Sequence, residues 1–184
     1  RELGEVLGPA DRRIDLLMMT HPELDHLGGL VDVIQNYEVG LFLGSGRKAE
    51  TGAYRTLVNA LEEKSVPYLM LGEGDKIRYS DATFDVLGPS KSELVDGELN
   101  TTSVVGMLRA GGLRALYTGD IAANVETRLV RDYDLRAHVL KAPHHGSRFS
   151  SSETFLTEIN PAVAIFEVGE KNRYGHPTNE TLDR

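Results

Sequence analysis

The sequence contains no cysteine. That excludes disulfides, thiolate zinc sites and a cysteine nucleophile, and it leaves the redox compartment open. No apolar run is long enough to cross a bilayer, and no signal peptide is visible. Repeats, low-complexity tracts and interdomain linkers are also absent. Positive charge is sparse: 20 Lys and Arg stand against 28 Asp and Glu, a formal net charge of −8. A protein that coats duplex DNA is ordinarily basic, so this balance argues against a large nucleic-acid footprint. It does not exclude a metal-centred phosphodiesterase, because bound cations can dominate the local field. The sequence opens at Arg1 rather than at a methionine, which suggests a piece of a larger protein. What is present is ordinary: 184 residues, 40% hydrophobic and 26% charged, enough for one domain, residues 1–184, with a sizeable core.

Hydrophobic periodicity sets out the elements. Residues 1–11 carry an apolar stripe, Leu3, Val6 and Leu7, which predicts a helix broken by Gly8-Pro9. Ile14 to Met19 reads as a buried strand and Leu27 to Gln35 as a helix with Leu30, Val31 and Ile34 on its core face. Val39 to Leu43 is a strand, Thr51 to Lys64 a helix, and Val66 to Leu71 a strand. Lys76–Tyr79 and Thr83–Leu87 pair across Ser80-Asp81, and the segment from Gly88 to Leu99 reads as a surface loop. Val104–Leu108 and Leu113–Tyr117 pair across Gly111-Gly112. Helix Ile121–Asp132, strand Ala137–Ala142, a helix ending at Glu158 with Ser152 as N-cap, and strand Ala162–Val168 complete the pattern. Strands alternate with helices and cluster as hairpins in the middle, which suits a layered α/β protein with mixed sheets.

The chemistry gathers where the strands end. Thr20-His21-Pro22-Glu23-Leu24-Asp25-His26-Leu27-Gly28-Gly29 follows the first strand and places two imidazoles and two carboxylates within six residues. Asp120 follows another strand, His144 and His145 a third, and His176 the last; only His138 falls inside a predicted strand, where a structural role is expected. Ligands in open sheets are bound beyond the carboxyl ends of strands. Imidazole and carboxylate are the ligand types of Zn, Mn and Fe sites, so a converging metal site is the economical reading. Arg148, Lys171 and Arg173 form the basic cluster near these motifs, with no aromatic stacking platform evident beside them.

The first stretch resembles the HxHxDH signature of the metallo-β-lactamase superfamily: His21, Asp25 and His26 match, and Glu23 stands where the second His is expected. The whole set resembles one branch, the metallo-β-lactamase-like domain of the ComEC/Rec2 DNA-internalisation (competence) proteins. The pieces that carry this are His21-Pro22-x-x-Asp25-His26-x-Gly28-Gly29, Asn100-x-x-Ser103, Thr118-Gly119-Asp120, the run from Val139 to Ser147, and Asn172-x-Tyr174-Gly175-His176-Pro177. The resemblance implies an αββα sandwich, α/β in class, truncated at its N-terminus because the family's opening Asp-Val-Gly-Gln-Gly-like strands are missing. It implies a hydrolase with two divalent ions, or one if the altered ligands weaken a site. Asp25, His26 and either His144 or His145 would hold one ion, His21 and Glu23 the other, and Asp120 would bridge them. Glu23 and Asn100 in place of imidazoles harden the ligand set, which makes Mn²⁺ a rival to Zn²⁺.

In the same reading the substrate is a phosphodiester. Two such ions, about 3.5–4 Å apart, clamp an in-line displacement. Asp25 and Asp120 serve the catalytic centre, and His176 either donates to a phosphate oxygen or protonates the leaving alkoxide. Asn100, Ser103, Ser147, Arg173 and His176 are the substrate-contact candidates. DNA is the expected substrate, no nucleotide cofactor is expected, and the partner is the membrane channel of the same parent chain. The domain would face the periplasm or the cell exterior from a cytoplasmic-membrane protein, degrading the strand that is not imported. Two alternatives stand beside this: a stand-alone hydrolase of a small phosphoester or phosphocholine substrate, and a non-catalytic DNA-guiding domain.

Overall fold

The computed structural model describes residues 2–8, 11–96 and 98–184. Pro9, and with it half of the expected Gly8-Pro9 break, lies outside them. The chain divides into two compact units, Arg1–Met70 and Leu71–Arg184. Among the described residues no helix is long and apolar enough to cross a membrane.

The first unit runs α1 (Glu2–Val6), β1 (Arg13–Met19), α2 (Leu24–Asn36), β2 (Glu38–Gly44), α3 (Gly52–Glu63) and β3 (Tyr68–Met70). The three strands form a parallel sheet in the order β1-β2-β3, with Ile14 opposite Val39 and Phe42 opposite Tyr68. Parallel neighbours need a crossover, and α2 and α3 supply the two. Each helix buries one stripe: Leu27 and Ile34 from α2 and Leu57 and Ala60 from α3 join Met19, Val39 and Phe42 in one cluster. Thr51 caps α3, its Oγ1 accepting from the amide of Tyr54 at 3.2 Å. Gly40 is required by close approach, since a Cβ there would lie 2.9 Å from the carbonyl oxygen of Asp15 on β1.

The second unit contains β4 (Lys76–Tyr79), β5 (Ala82–Gly88), α4 (Lys91–Asp96), β6 (Val105–Ala110), β7 (Leu113–Tyr117), α5 (Ala123–Asp132), β8 (Val139–Lys141), α6 (Glu153–Ile159), β9 (Val163–Ile165) and α7 (Asn179–Leu182). Its sheet is mixed, in the order β4-β5-β6-β7-β8-β9. β4 to β7 pair antiparallel, β4–β5 and β6–β7 through tight hairpins and β5–β6 through the longer connection that carries α4, while β7, β8 and β9 are parallel. The β6–β7 turn uses Gly111 and Gly112 at φ +55° and +81°, a pair of left-handed residues suited to a two-residue hairpin. α5 and α6 are the crossovers that the parallel strands demand. Their apolar faces, Val125, Leu129, Phe155 and Ile159, bury against Val105, Met107, Leu116 and Leu140 of the sheet.

Three sequence expectations change. The segment after Gly88 is not a plain surface loop: Ser90 and Glu93 form a reciprocal capping box at the start of α4, the Ser90 amide donating to Glu93 Oε2 at 2.6 Å. The same Glu93 carboxylate receives Arg128 of α5 at 2.8 Å, which ties α4 down. α2 begins at Leu24, three residues earlier than the apolar pattern suggested, so Asp25 and His26 sit in its first turn. Ser152 occupies the N-cap of α6 but makes no capping hydrogen bond. Its amide and that of Ser151 donate instead to the buried carboxylate of Glu126, at 2.9 and 2.5 Å.

Candidate metal centre

In the first unit the chemistry leaves the carboxyl end of β1. The His21 ring is fully buried and lies 4.1 Å, centroid to centroid, from that of His26. Thr20 Oγ1 lies 3.1 Å from Nδ1 of His21 and 3.4 Å from Nδ1 of His26. One hydroxyl therefore engages the inner nitrogen of both rings and directs both Nε2 atoms elsewhere, the usual way in which an outer partner orients a ligating imidazole. His26 Nε2 lies 3.8 Å from Asp25 Oδ2. Glu23 is the N-cap residue of α2, its carbonyl accepting from the amides of His26 and Leu27 and its side chain making no capping bond. A carboxylate in the first turn of a helix, as Asp25 is, is favoured there by the helix dipole. Two neighbouring rings and a carboxylate form a donor set that suits a divalent ion of the Zn or Mn type.

In the second unit three adjacent parallel strands deliver the other candidates from their carboxyl ends. After β7, Thr118 Oγ1 donates to the carbonyl of Lys141 at 2.7 Å, locking that exit to β8. Asp120 is then buried, 1% exposed, and its amide donates to Ser103 Oγ at 3.1 Å. The Ser103 hydroxyl thus holds the aspartate's backbone. After β8, His144 and His145 adopt left-handed backbone, φ +48° and +56°. Such conformations are costly for residues with a Cβ and concentrate at functional sites. Gly146 follows at φ +84°, and a Cβ there would meet Phe166 and Pro177 at 2.7 Å.

This strained turn points the two rings differently. His145 Nδ1 donates to the carbonyl of Glu167, 2.6 Å away and two residues beyond β9, and its Nε2 reaches Asp120 Oδ2 at 3.2 Å. That arrangement fixes the tautomer and aims one nitrogen at the carboxylate. The hydrogen bond to Asp120 raises the His145 pKa above its ordinary value, with burial opposing. His144 instead packs edge-on to His176, 5.8 Å between centroids. Of the two histidines, His145 is the one paired with Asp120.

After β9, Asn172 brackets the last motif. Its Nδ2 donates to the carbonyl of His176 at 2.8 Å, and its Oδ1 accepts from the amide of His176 at 2.9 Å. His176 is held below its ordinary pKa, by burial first and then by His144 and His145. Its resting form at neutral pH is therefore the uncharged ring, which can accept a proton or donate its single N–H.

The remaining candidates are placed as follows. Asn100 opens a 3₁₀ turn leading into β6, and its side-chain carbonyl oxygen is buried without a hydrogen-bond partner among the described residues, a hard oxygen donor of the kind divalent ions take. Ser147 is buried; its Oγ accepts from the Phe149 amide at 3.4 Å and its carbonyl from Thr181 Oγ1 at 3.0 Å, so it serves the turn. Arg173 is exposed. His138, expected to be structural, accepts from the Arg114 amide at 2.9 Å. Sequence reasoning missed Glu167, whose contribution is a main-chain carbonyl and carries no side-chain signature. It also missed Lys141, 8% exposed, whose Nζ donates to the Ala142 carbonyl at 3.0 Å and lies 3.5 Å from the Glu167 carboxylate.

Parallel strands releasing His and Asp at their carboxyl ends, with outer hydrogen bonds orienting the rings, define the class: a mixed α/β protein of metallo-hydrolase type that suits divalent metal. The family model described as "Metallo-beta-lactamase superfamily" matches residues 3–166, and the chain belongs to that superfamily. Curated relatives include competence proteins of the ComEC family. It is 30% identical over 173 residues to "ComE operon protein 3" of Bacillus subtilis, covering 93% of this chain and 22% of that protein. It is 31% identical over 175 residues to "Competence protein ComA" of Neisseria gonorrhoeae, covering 94% of this chain and 23% of that protein. The chain thus spans less than a quarter of the length of these relatives. Among solved structures, a putative metal-dependent hydrolase from Parabacteroides distasonis shares the fold, with a TM-score of 0.55 at 14% identity over 94% of this chain and 73% of that one.

Proposed function

We propose that this chain is the metal-dependent phosphodiesterase domain of a competence DNA-uptake protein, hydrolysing DNA outside the cytoplasm beside a membrane channel of the same parent. The observation that carries the reading is the His145–Asp120 pair: a buried carboxylate, 3.2 Å from an imidazole nitrogen whose tautomer a carbonyl has fixed. Such a pair, oriented from outside, is built for ligation rather than for a surface ion pair. His21, Asp25 and His26, with Glu23, are the donors we assign in the first unit, and Asp120 and His145 those in the second. Bound divalent ions supply hydroxide at neutral pH and withdraw charge from a phosphoryl group. Glu23 and the Asn100 oxygen make Mn²⁺ a candidate as well as Zn²⁺.

The chain's own residues do the rest. Thr20 and the Glu167 carbonyl keep the candidate ligand rings aimed. Ser103 holds the Asp120 backbone. His176, uncharged at rest, hydrogen-bonds a phosphate oxygen through its N–H or takes up a proton during the reaction. The net charge of −8 favours a second reading, a compact phosphoester substrate with little backbone to grip.

The test is hydrolysis of end-labelled single- and double-stranded DNA, and of bis(p-nitrophenyl) phosphate, with Mn²⁺, Zn²⁺ or EDTA, beside Asp120→Ala. Metal-dependent DNA cleavage lost in the variant is the expected result. Cleavage of the small diester alone selects the second reading. Hydrolysis that survives both EDTA and Asp120→Ala overturns the metal-dependent mechanism.

A further inference from the structure

We propose that Tyr174 is a base-stacking residue that selects an unpaired nucleobase strand at the rim of the His145–Asp120 pair, an inference that rests on the phosphodiesterase reading. The carrying observation is a row of rings. Tyr174 stacks on His176 with centroids 5.8 Å apart and planes within 23°. His176 meets His144 edge-on at 5.8 Å, and His144 meets His145 edge-on at 6.4 Å. His145 then reaches Asp120. The row thus runs from the surface to the candidate chemistry without leaving the second unit.

Tyr174 is the outer end of this row and is 82% exposed. One face rests on His176, which leaves the other open to a flat group. The ring is presented rather than dangling. Asn172 clamps both the amide and the carbonyl of His176, and Gly175, at φ +68°, makes the bend between the two rings. A tyrosine held this way loses little freedom on binding, which is what makes aromatic platforms efficient.

A second exposed aromatic stands in the loop after β8. Phe149 is 66% exposed, and the Arg148 guanidinium lies over its ring at 4.9 Å. Each exposed ring therefore stands next to an arginine in sequence, Arg148-Phe149 and Arg173-Tyr174, in loops that follow β8 and β9. Alternating cation and ring matches the alternating phosphate and base of a nucleic-acid strand. It does not match a duplex, whose base faces are already stacked. No platform was legible here in the sequence, because an exposed tyrosine and a buried one look alike in a pattern of apolar positions.

The test separates stacking from chemistry. Binding of a fluorescein-labelled oligothymidylate and of an abasic strand of the same length would be measured by anisotropy in EDTA, for the unaltered protein, Tyr174→Phe and Tyr174→Ala. The expected result is a loss of about 5- to 150-fold in oligothymidylate affinity for Tyr174→Ala, the range of one base–aromatic stack. Tyr174→Phe retains affinity, and the abasic strand binds all three proteins alike. Equal losses on both strands, no loss on either, or no binding of the oligothymidylate by the unaltered protein overturns the inference. Cleavage is assayed separately with metal. Metal-dependent cleavage without the Tyr174 effect removes this inference alone, and the Tyr174 effect without cleavage removes the proposed activity alone.

Discussion

Replacing Glu126 by glutamine is expected to destabilise the protein by about 2–4 kcal/mol, although the change is one atom in size. Glu126 lies in the first half of α5 and is 0% exposed. Its two carboxylate oxygens accept from the amides of Ser151 and Ser152, and Ser151 is itself held at φ +61°. Glutamine keeps one acceptor and turns an NH₂ toward the other amide. One charge-assisted bond becomes neutral, losing about 1 kcal/mol, and one buried amide faces a donor, costing about 1–3 kcal/mol more. The clamp joins the segment after Asp120 to the segment after His145, a link shared with Ser150, whose Oγ donates to the Ile121 carbonyl at 2.8 Å. The assay is urea unfolding at pH 7, with Glu153→Gln on the exposed start of α6 as control. The midpoint should fall at unchanged slope, with a melting temperature lower by about 5–10 °C for a chain of this size. A Glu126→Gln variant within about 0.5 kcal/mol of the control, the range of ordinary surface changes, refutes the reasoning.

Two further outcomes are expected. Ser103→Ala leaves the Asp120 amide without its buried acceptor, so divalent-metal affinity measured by competition with a chromophoric chelator should fall about 10- to 100-fold, as for other outer-shell losses; unchanged affinity would show that Asp120 is positioned without Ser103. Tyr133 is pushed up to about 12 by burial first and then by its hydrogen bond to Glu73. Because the folded state holds this proton more tightly, the associated stability is present below the unfolded pKa of about 10 and is lost as pH rises toward 12. Difference titration at 295 nm between the unaltered protein and Tyr133→Phe should show a tyrosine ionising near 12, and one ionising near 10 would contradict the Tyr133–Glu73 contact.

Strand and helix order was legible in the sequence because each element buries one face, and burial of one face writes a period of two or 3.6 into the apolar residues. β7 and the β4–β5 hairpin fall where the pattern put them. The ends of elements were less legible. β3, β8 and β9 are three residues each, shorter than their apolar runs, since pairing with a neighbour, not hydrophobicity, decides where a strand stops. α4 was lost in a polar segment although Ser90-x-x-Glu93 marked its start, because a short helix held by Arg128 needs little apolar face of its own.

The sequence by itself determined the superfamily, the order of elements and the strand ends at which His and Asp would gather, because ligand type and loop position are both local properties of the chain. Tertiary structure alone decided that His145 rather than His144 pairs with Asp120, that Ser103 serves the Asp120 backbone, and that Tyr174 stands exposed on His176. Two adjacent histidines are identical in any pattern. They are told apart only when a strained turn aims one ring at a carbonyl and a carboxylate brought close by strand pairing, contacts made across 22 and 25 positions of chain.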